Sequence, residues 1–382
     1  MRDVFIIGVG MTVFGKHERS LRSLGYEACL NALRDAGVKP ADIEAGYCGN
    51  GLAPALQGEA GIGQHVFWEA GIRGIPVVNL ENACASGSTA LREGWMAVTA
   101  GFYDIVIVAG VEKTVMPKGT PLNVGLGELE VRLGDIFPGY FAFAAQKHME
   151  QFGTTLEQMA MVSVKNHFNG TLNPYAQFQK PVTVDEVLKS PMIADPITLF
   201  SCCPNSDGAA AVVLASAEKA KHLGKKGVRL AGSALTSGTY ENQKDFTGWE
   251  MERRAAKQAY EMASIDPKDI SVAEVHDAFT ICEIVHYEGL GLCPTGEGGR
   301  FIEEGHTAMG GKVPVCPSGG LLAKGHPVGA SGVAQIVELA WQIRGEAGKR
   351  QVPNARVAVA QIMGGNKGSD TRACTVHVLM KD

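Results

Sequence analysis

"CASGSTALREGWMAVTAGFYDIVIVAGVE", residues 84–112, runs from a small-residue turn into a helical stretch, then a Gly-Phe break and an apolar strand. "GASGVAQIVELAWQIRGEAGKRQVPNARVAVAQIMGG", residues 329–365, keeps that order: Ala-Ser-Gly opens a helix, a breaker follows and a buried strand closes the unit. A second pair precedes the first in each half. "VFIIGVG" (4–10) with the helix and strand of 20–51 matches "VRLAGSALTSG" (228–238) with 251–279. Both carry the same entry to a strand, Pro40-Ala41-Asp42-Ile43 and Pro267-Lys268-Asp269-Ile270. Chance supplies one such match more easily than two in the same order. The sequence therefore predicts an α/β fold of two duplicated β/α halves packed against each other, with crossover helices enforcing parallel pairing in each sheet.

Between the halves the text changes. The stretch from Val115 to Thr155 is rich in Gly, Pro, Phe and Met and lacks the β/α rhythm. It reads as an inserted loop domain over 113–189, folded over the first half as a substrate lid. The N-terminal half is then 1–112 with 190–227, where "NSDGAAAVVLAS" supplies its closing strand, and the C-terminal half is 228–382.

A length of 382 residues suits two core-forming units. A net charge of -5 gives no footing for a nucleic-acid binder. The nine cysteines are odd in number and scattered, without CxxC or Cys/His metal spacing, so neither a disulfide framework nor a metal site is expected, and a reducing, cytoplasmic setting is. The opening "MRDVFIIGVG" reads as a first strand and not a signal peptide. No run of about 18 apolar residues offers a membrane span. A P-loop and a dinucleotide-binding glycine fingerprint are both missing, which argues against nucleotide hydrolysis and dinucleotide redox chemistry.

Cys84 stands at the amino end of the helix that begins near Ala85, where free backbone N–H groups and the helix dipole are expected to lower its thiol pKa and make it a nucleophile. An isolated cysteine is more often a small buried hydrophobe. Two histidines shift the balance. His276 lies just past a predicted strand, and His326 lies in a glycine-rich turn before the helix that mirrors the Cys84 helix. A pseudo-twofold pairing of the halves brings the two helix ends together, so Cys84, His276 and His326 are expected to converge.

At these residues the sequence resembles the thiolase superfamily along essentially its full length. The marks are the duplicated halves, Cys84-Ala85-Ser86, Gly325-His326-Pro327 and "NSDGAAAVVL" at 205–214. His276-Asp277-Ala278-Phe279 in place of Asn-Glu-Ala-Phe is similar to the sterol-carrier-protein-type thiolases and their archaeal and bacterial relatives, many of which work beside a small OB-fold, zinc-ribbon protein. The resemblance implies a layered α-β-α-β-α arrangement, a homodimer, and coenzyme A as a substrate with no permanently bound cofactor. It implies that Cys84 takes an acyl group from acyl-CoA, that His326 activates it, that His276 helps hold the thioester oxygen, and that Gly325 and Gly365 lie close to substrate. The implied reaction is thiolysis of a 3-oxoacyl-CoA or the reverse Claisen condensation.

One departure is marked. Ile362 stands where thiolases generally carry a second, acid/base cysteine, and Ala278 stands where the sterol-carrier type has its own. His276 is the first candidate to replace that group, with Cys282 and Cys316 behind it. The aromatic run "FPGYFAFAA" (137–145) would suit an aromatic or dicarboxylic acyl group, as in benzoylsuccinyl-CoA thiolases; taken singly, such rings are more often core or dimer contacts. The alternatives are an acetyl-CoA acetyltransferase, a retro-aldol lyase on CoA esters, and a non-catalytic acyl-CoA or lipid carrier or scaffold.

Overall fold

A computed structural model describes residues 2–115, 129–134, 136–240, 246–367 and 370–382. Among these, nine strands form the main sheet: Val4–Met11 (β1), Ala45–Gly49 (β2), Val77–Leu80 (β3), Ile105–Lys113 (β4), Asp207–Ser216 (β5), Val228–Thr236 (β6), Val272–Glu274 (β7), Val357–Lys367 (β8) and Asp370–Met380 (β9). Their order in space is β3-β2-β4-β5-β1-β6-β9-β8-β7. With the edge strand β3 set aside this order is a palindrome, because β6, β9, β8 and β7 hold in the second half the places of β1, β5, β4 and β2 in the first. Pairing directions obey the same symmetry. β2 is parallel to β4 as β7 is to β8, while β4–β5, β5–β1, β8–β9 and β9–β6 are all antiparallel.

Parallel pairing throughout was expected, and here the sequence reading is corrected. Crossover helices lead into β4 and β8 and set those strands parallel to β2 and β7. β5 instead returns from the insert, and β9 is next to β8 in sequence as in space, with Lys367 paired to Asp370.

The helices that matter here are Leu21–Ala36 (α1), Ile62–Glu69 (α2), Ser86–Ala100 (α3), Phe137–Phe152 (α4), Leu156–Thr171 (α5), Glu250–Ala263 (α6), Thr280–Gly289 (α7) and Val328–Arg344 (α8). Successive side chains of a strand point to opposite faces, so each half-sheet is coated twice. Val106, Val108, Val212 and Leu214 from the first half, and Ala358 and Ala360 from the second, meet Ala90 and Leu91 of α3 and Val333 and Ile336 of α8 in one central core. The intervening residues Ile105, Ile107 and Val213 pack on α1 and α2, and Val359, Val376 and Val378 pack with α6 and α7. This is the layered α-β-α-β-α arrangement. At the seam only Phe5 with Arg229 and Ile6 with Val228 join the two half-sheets. No described helix is long and apolar enough to cross a membrane.

Close approach of the two central helices depends on missing side chains. A Cβ on Gly87 of α3 would lie 2.4 Å from the carbonyl oxygen of Gly329 in α8, and one on Gly110 of β4 would lie 2.3 Å from that same oxygen. The Ala-Ser-Gly repeats therefore mark the point where the halves touch.

The insert differs from expectation in form and place. Two of its segments, α4 and α5, are helices of 16 residues each. Tyr140 and Phe141, with Met159 and Val162, enter the outer core of the second half beside Trp249, Phe279 and Val285. α4 and α5 thus pack on the second half, while Tyr175 and Gln177 farther along the insert bond Phe14 and Ser206 of the first. The aromatic run is the inner face of a helix: Phe141 stacks on Phe279 with ring centres 4.6 Å apart, while Phe143 is 59% exposed. Tyr140 and Phe141 are spent on packing, and Phe143 faces outward. The stretch 116–128, part of the expected lid, lies outside the described residues.

Gly87→Ala is expected to lower unfolding stability by about 1–3 kcal/mol, the usual cost of overpacking, and to impair activity by parting the two helix ends. Denaturant melting and an assay of the same preparation check this; a wild-type midpoint with wild-type activity would refute the close-contact account.

Candidate active site

The turn after β3 delivers Cys84 to α3. Its Ala83 has φ 48°, a left-handed conformation uncommon for a residue with a Cβ. Three hydrogen bonds hold it: Ala83 N–H donates to Glu81 Oε1 at 2.7 Å, Asn82 N–H to Ser86 Oγ at 2.9 Å, and Ser86 Oγ to the Ala83 carbonyl at 2.6 Å. Cys84 consequently sits one residue before the Ala85 cap, just outside the first turn.

His326 occupies the turn before α8, its N–H donating to Ser206 Oγ at 2.9 Å. Its Nε2 is 3.2 Å from Cys84 Sγ, and its Nδ1 is 2.8 Å from Ser331 Oγ. The Ser331 hydroxyl donates its hydrogen to the Pro327 carbonyl at 2.9 Å, so toward the ring it accepts. That assigns the proton to Nδ1 and turns the Nε2 lone pair to the thiol. His276 follows β7, its backbone N–H donating to Gln361 Oε1 at 3.0 Å. Its ring centre is 5.5 Å from that of His326, and the sulfur and one nitrogen of each ring all lie within 4.8 Å of one another.

Cys84, His276 and His326 are thus brought together, while Cys282 and Cys316 are not among them. Cys282 is buried in the first turn of α7, and Cys316 lies beside Asp277 and Glu283 instead. Gly365 does reach the site, since its backbone N–H stands near enough to the Cys84 sulfur to favour a charge there. At Gly325, with φ 109°, a Cβ would meet Ser206 Oγ at 2.5 Å. Ile362 packs with Ala85 and Ala373 against Cys84, filling with hydrocarbon the place expected of a thiol.

Several residues of the site escaped the sequence reading. Ser331 is the serine of the second Ala-Ser-Gly, and Ser86 is that of the first; each fastens the site residue of its own half. Glu112, buried at the end of β4, accepts N–H groups from Gly51 at 2.8 Å and Gly329 at 3.2 Å, tying the first half to the start of α8. Burial pushes its carboxyl up to about 7 despite those donors. From the insert, Asn166 Nδ2 donates to Asp277 Oδ2 at 2.7 Å, Asn169 Nδ2 to the Cys316 carbonyl at 3.0 Å and Asn173 Nδ2 to the Ser318 carbonyl at 2.8 Å. α5 and the turn after it therefore strap the loops that carry the two histidines.

Electrostatics correct one expectation outright. Burial pushes the Cys84 thiol up to about 12, outweighing the N–H groups of Gly365 and of Cys84 itself, and the nearby Glu112 adds to the rise. The two backbone donors do not offset the loss of water around the charge. Burial, then Lys324, lowers His326 to about 4, and burial, then His326 and His286, holds His276 well below the ordinary imidazole range. At neutral pH the group is one thiol and two neutral imidazoles. Its donor types would suit a soft metal. A second set, Asp277, Glu283 and Cys316, is already engaged by Lys165 and Asn166.

Residues 4–218 match the model of the thiolase N-terminal domain, and residues 232–377 match that of the thiolase C-terminal domain-like family. The chain belongs to the thiolase family. This thiolase is 45% identical to an acetyl-CoA acetyltransferase of Methanothermobacter thermautotrophicus, with both chains covered in full. It is 41% identical to the benzoylsuccinyl-CoA thiolase subunit BbsB of Thauera aromatica over 95% of each chain, and 40% identical to sterol carrier protein 2 of Bos taurus over 94% of this chain and 70% of that one. Among solved structures, the Ltp2-ChsH2(DUF35) aldolase superposes with a TM-score of 0.84 at 25% identity, covering 100% of this chain and 98% of that one. Human mitochondrial 3-ketoacyl-CoA thiolase, at 18% identity and TM-score 0.77 over 100% of this chain and 99% of that one, shows the shared fold alone. The family makes this thiolase an acyltransferase enzyme.

Because the resting sulfur is a thiol, iodoacetamide should label Cys84 at a rate that climbs steadily from about pH 6 to about pH 10, following the thiolate fraction. Peptide mapping of a pH series checks this. A plateau near neutral pH would mean a stored thiolate and would overturn the assignment.

Proposed function

We propose that this thiolase cleaves a 3-oxoacyl-CoA with coenzyme A, or runs the reverse Claisen condensation, through an acyl thioester on Cys84. The observation that carries the reading is the 3.2 Å pairing of His326 Nε2 with the Cys84 thiol. As Sγ attacks the thioester carbonyl, Nε2 accepts the thiol proton, and the Nδ1–H bond to Ser331 keeps the ring in the required tautomer. A proton moved during the attack needs no thiolate at rest. The N–H groups of Gly365 and Cys84, now aimed at sulfur, are placed to receive the oxygen of the tetrahedral intermediate. His276 is the group assigned to the proton at the alpha carbon: its ring stands with the Cys84 sulfur and the His326 ring, neither Ile362 nor Ala278 can carry a proton, and burial pushes the neighbouring Cys203 thiol well up. Coenzyme A enters as substrate, with no resident cofactor.

The names of two relatives point to two members of the substrate class, acetoacetyl-CoA and benzoylsuccinyl-CoA. A retro-aldol lyase is the second reading, supported by the likeness to the Ltp2-ChsH2(DUF35) aldolase. The pairing of a thiol with a base of fixed tautomer favours acyl transfer over it, and over a carrier role. We also propose a homodimer formed along β3, the sheet edge just ahead of the Cys84 turn, where Val78 is 45% exposed. A small OB-fold, zinc-ribbon partner is part of the proposal, supported by the ChsH2(DUF35) component of that neighbour. So are a lid role for the insert and a cytoplasmic setting, the latter supported by nine unpaired cysteines.

Intact-mass analysis after mixing with acetoacetyl-CoA or acetyl-CoA, free CoA omitted, should show an acyl adduct that maps to Cys84 and is lost in Cys84→Ala. His326→Ala should slow its formation roughly 10²–10⁴-fold, the range of a lost general base. Full turnover by Cys84→Ala would sink the acyl-enzyme reading and promote the lyase. Light scattering should give twice the chain mass; an active monomer would refute the dimer.

A further inference from the structure

His276 is placed on its far side against a second buried histidine. The ring of His286, on α7, is centred 6.4 Å from that of His276, against 5.5 Å between His276 and His326. His286 Nδ1 lies 2.8 Å from Oε1 of Glu252 on α6, and both side chains are fully shielded from solvent. Trp249 covers the His286 ring at 5.4 Å between centres. Both ring nitrogens of His276, Nε2 of His286 and Oε2 of Glu252 are buried without a hydrogen-bond partner among the described residues.

Buried polar atoms are satisfied far more often than not, so a run of such atoms leading from a reaction centre calls for a reason. A carboxylate that accepts from Nδ1–H fixes the His286 tautomer and leaves a basic Nε2 lone pair free, as Ser331 does for His326. Tyr260, Cys282 and Cys374 lie in electrostatic reach of Glu252, and burial raises the pKa of all three, so none of them offers a charged partner.

We propose that His286 and Glu252 form a buried proton relay behind His276 that supplies the acid–base capacity this chain lacks through Ile362 and Ala278. The proposal rests on the reading above that His276 moves the proton at the alpha carbon. A nitrogen of His276 takes the proton from the alpha carbon, and the C–H electron pair remains on the enolate. His276 gives the proton of its other nitrogen to one bridging water, which gives one of its own to His286 Nε2; His286 releases its Nδ1 proton to Glu252 Oε1, and both rings end in the opposite neutral tautomer. The sum is one proton moved from carbon to Glu252, with His276, water and His286 neutral again and the charge transferred from carboxylate to enolate. Carbon–carbon cleavage runs the path backwards. Water-bridged hydrogen bonds span a ring separation of this size. His286 and Glu252 touch no substrate and act through His276 as positioning residues.

The test follows two rates on the same protein: deuterium exchange into the methyl group of acetyl-CoA in D₂O, and acylation of Cys84 read by intact mass. Glu252→Gln keeps the size and a hydrogen bond to His286 but takes up no proton, and His286→Gln breaks the relay at its middle. Each is expected to slow exchange about 10- to 100-fold, less than the loss of a directly acting acid–base group, while acylation stays within about twofold. A merely structural role would move both rates together, and that outcome, or unchanged exchange in a variant that acylates normally, overturns the relay. Should His286→Gln fail to fold, Glu252→Gln decides alone. A wild-type protein that exchanges deuterium yet forms no adduct would sink the acyl-enzyme reading and leave the relay standing.

Discussion

The contact between two helix ends at Gly87 and Gly329 is the constraint on which the rest depends. Neither half holds a complete site: the first brings the thiol and the second brings both imidazoles, and only a backbone-to-backbone approach sets Sγ 3.2 Å from Nε2. Glycine allows that approach because it has no Cβ to interpose. Glu112 fixes it from the side by accepting N–H groups from both halves. The aliphatic burial of α8 between two half-sheets then holds the contact under load, each fully buried Val, Leu or Ile contributing roughly 1.5–3 kcal/mol.

Burial of the same contact decides the chemistry. A desolvated sulfur beside a desolvated ring favours two neutral groups over an ion pair, because each charge would lose its hydration while gaining a single partner. The backbone donors of Gly365 and Cys84 are too few to reverse this at rest. They become useful when negative charge develops on an acyl oxygen, which is when preorganised N–H groups lower a barrier. Low dielectric thus costs the ground-state thiolate and strengthens each hydrogen bond formed during the reaction.

Much of this was legible in the sequence, for reasons that can be named. The Ala-Ser-Gly and Pro-x-Asp-Ile repeats revealed the duplication because helix entries and strand entries need particular residues at fixed places. Cys84, His276 and His326 could be grouped because the duplication predicts where helix ends meet. Strand direction was not legible, since an apolar run such as that of β5 reads alike in parallel and antiparallel sheets. The insert misled because Tyr140, Phe141, Ala144, Ala145 and His148 form one helical face that its glycines and prolines disguise. Thiol acidity was not legible because burial belongs to the tertiary structure, and so does the Gly365 N–H from β8 that opposes it; only the N–H of Cys84 itself is local. Ser331 was within reach: the serine had been noticed as part of a repeat, but its bond to a ring five residues back depends on the turn at Pro327.

The palindromic strand order has an evolutionary consequence. Two identical chains paired about a twofold axis would present the same residues at both helix ends, so any change favouring a nucleophile on one side would also place it on the other. Joining the copies end to end removes that bondage. Ser86 and Ser331 still stand at equivalent positions as relics of the common ancestor, yet one now braces the turn of a thiol and the other steadies a base. Division of labour between once-identical copies, more than any new fold, is what this architecture records.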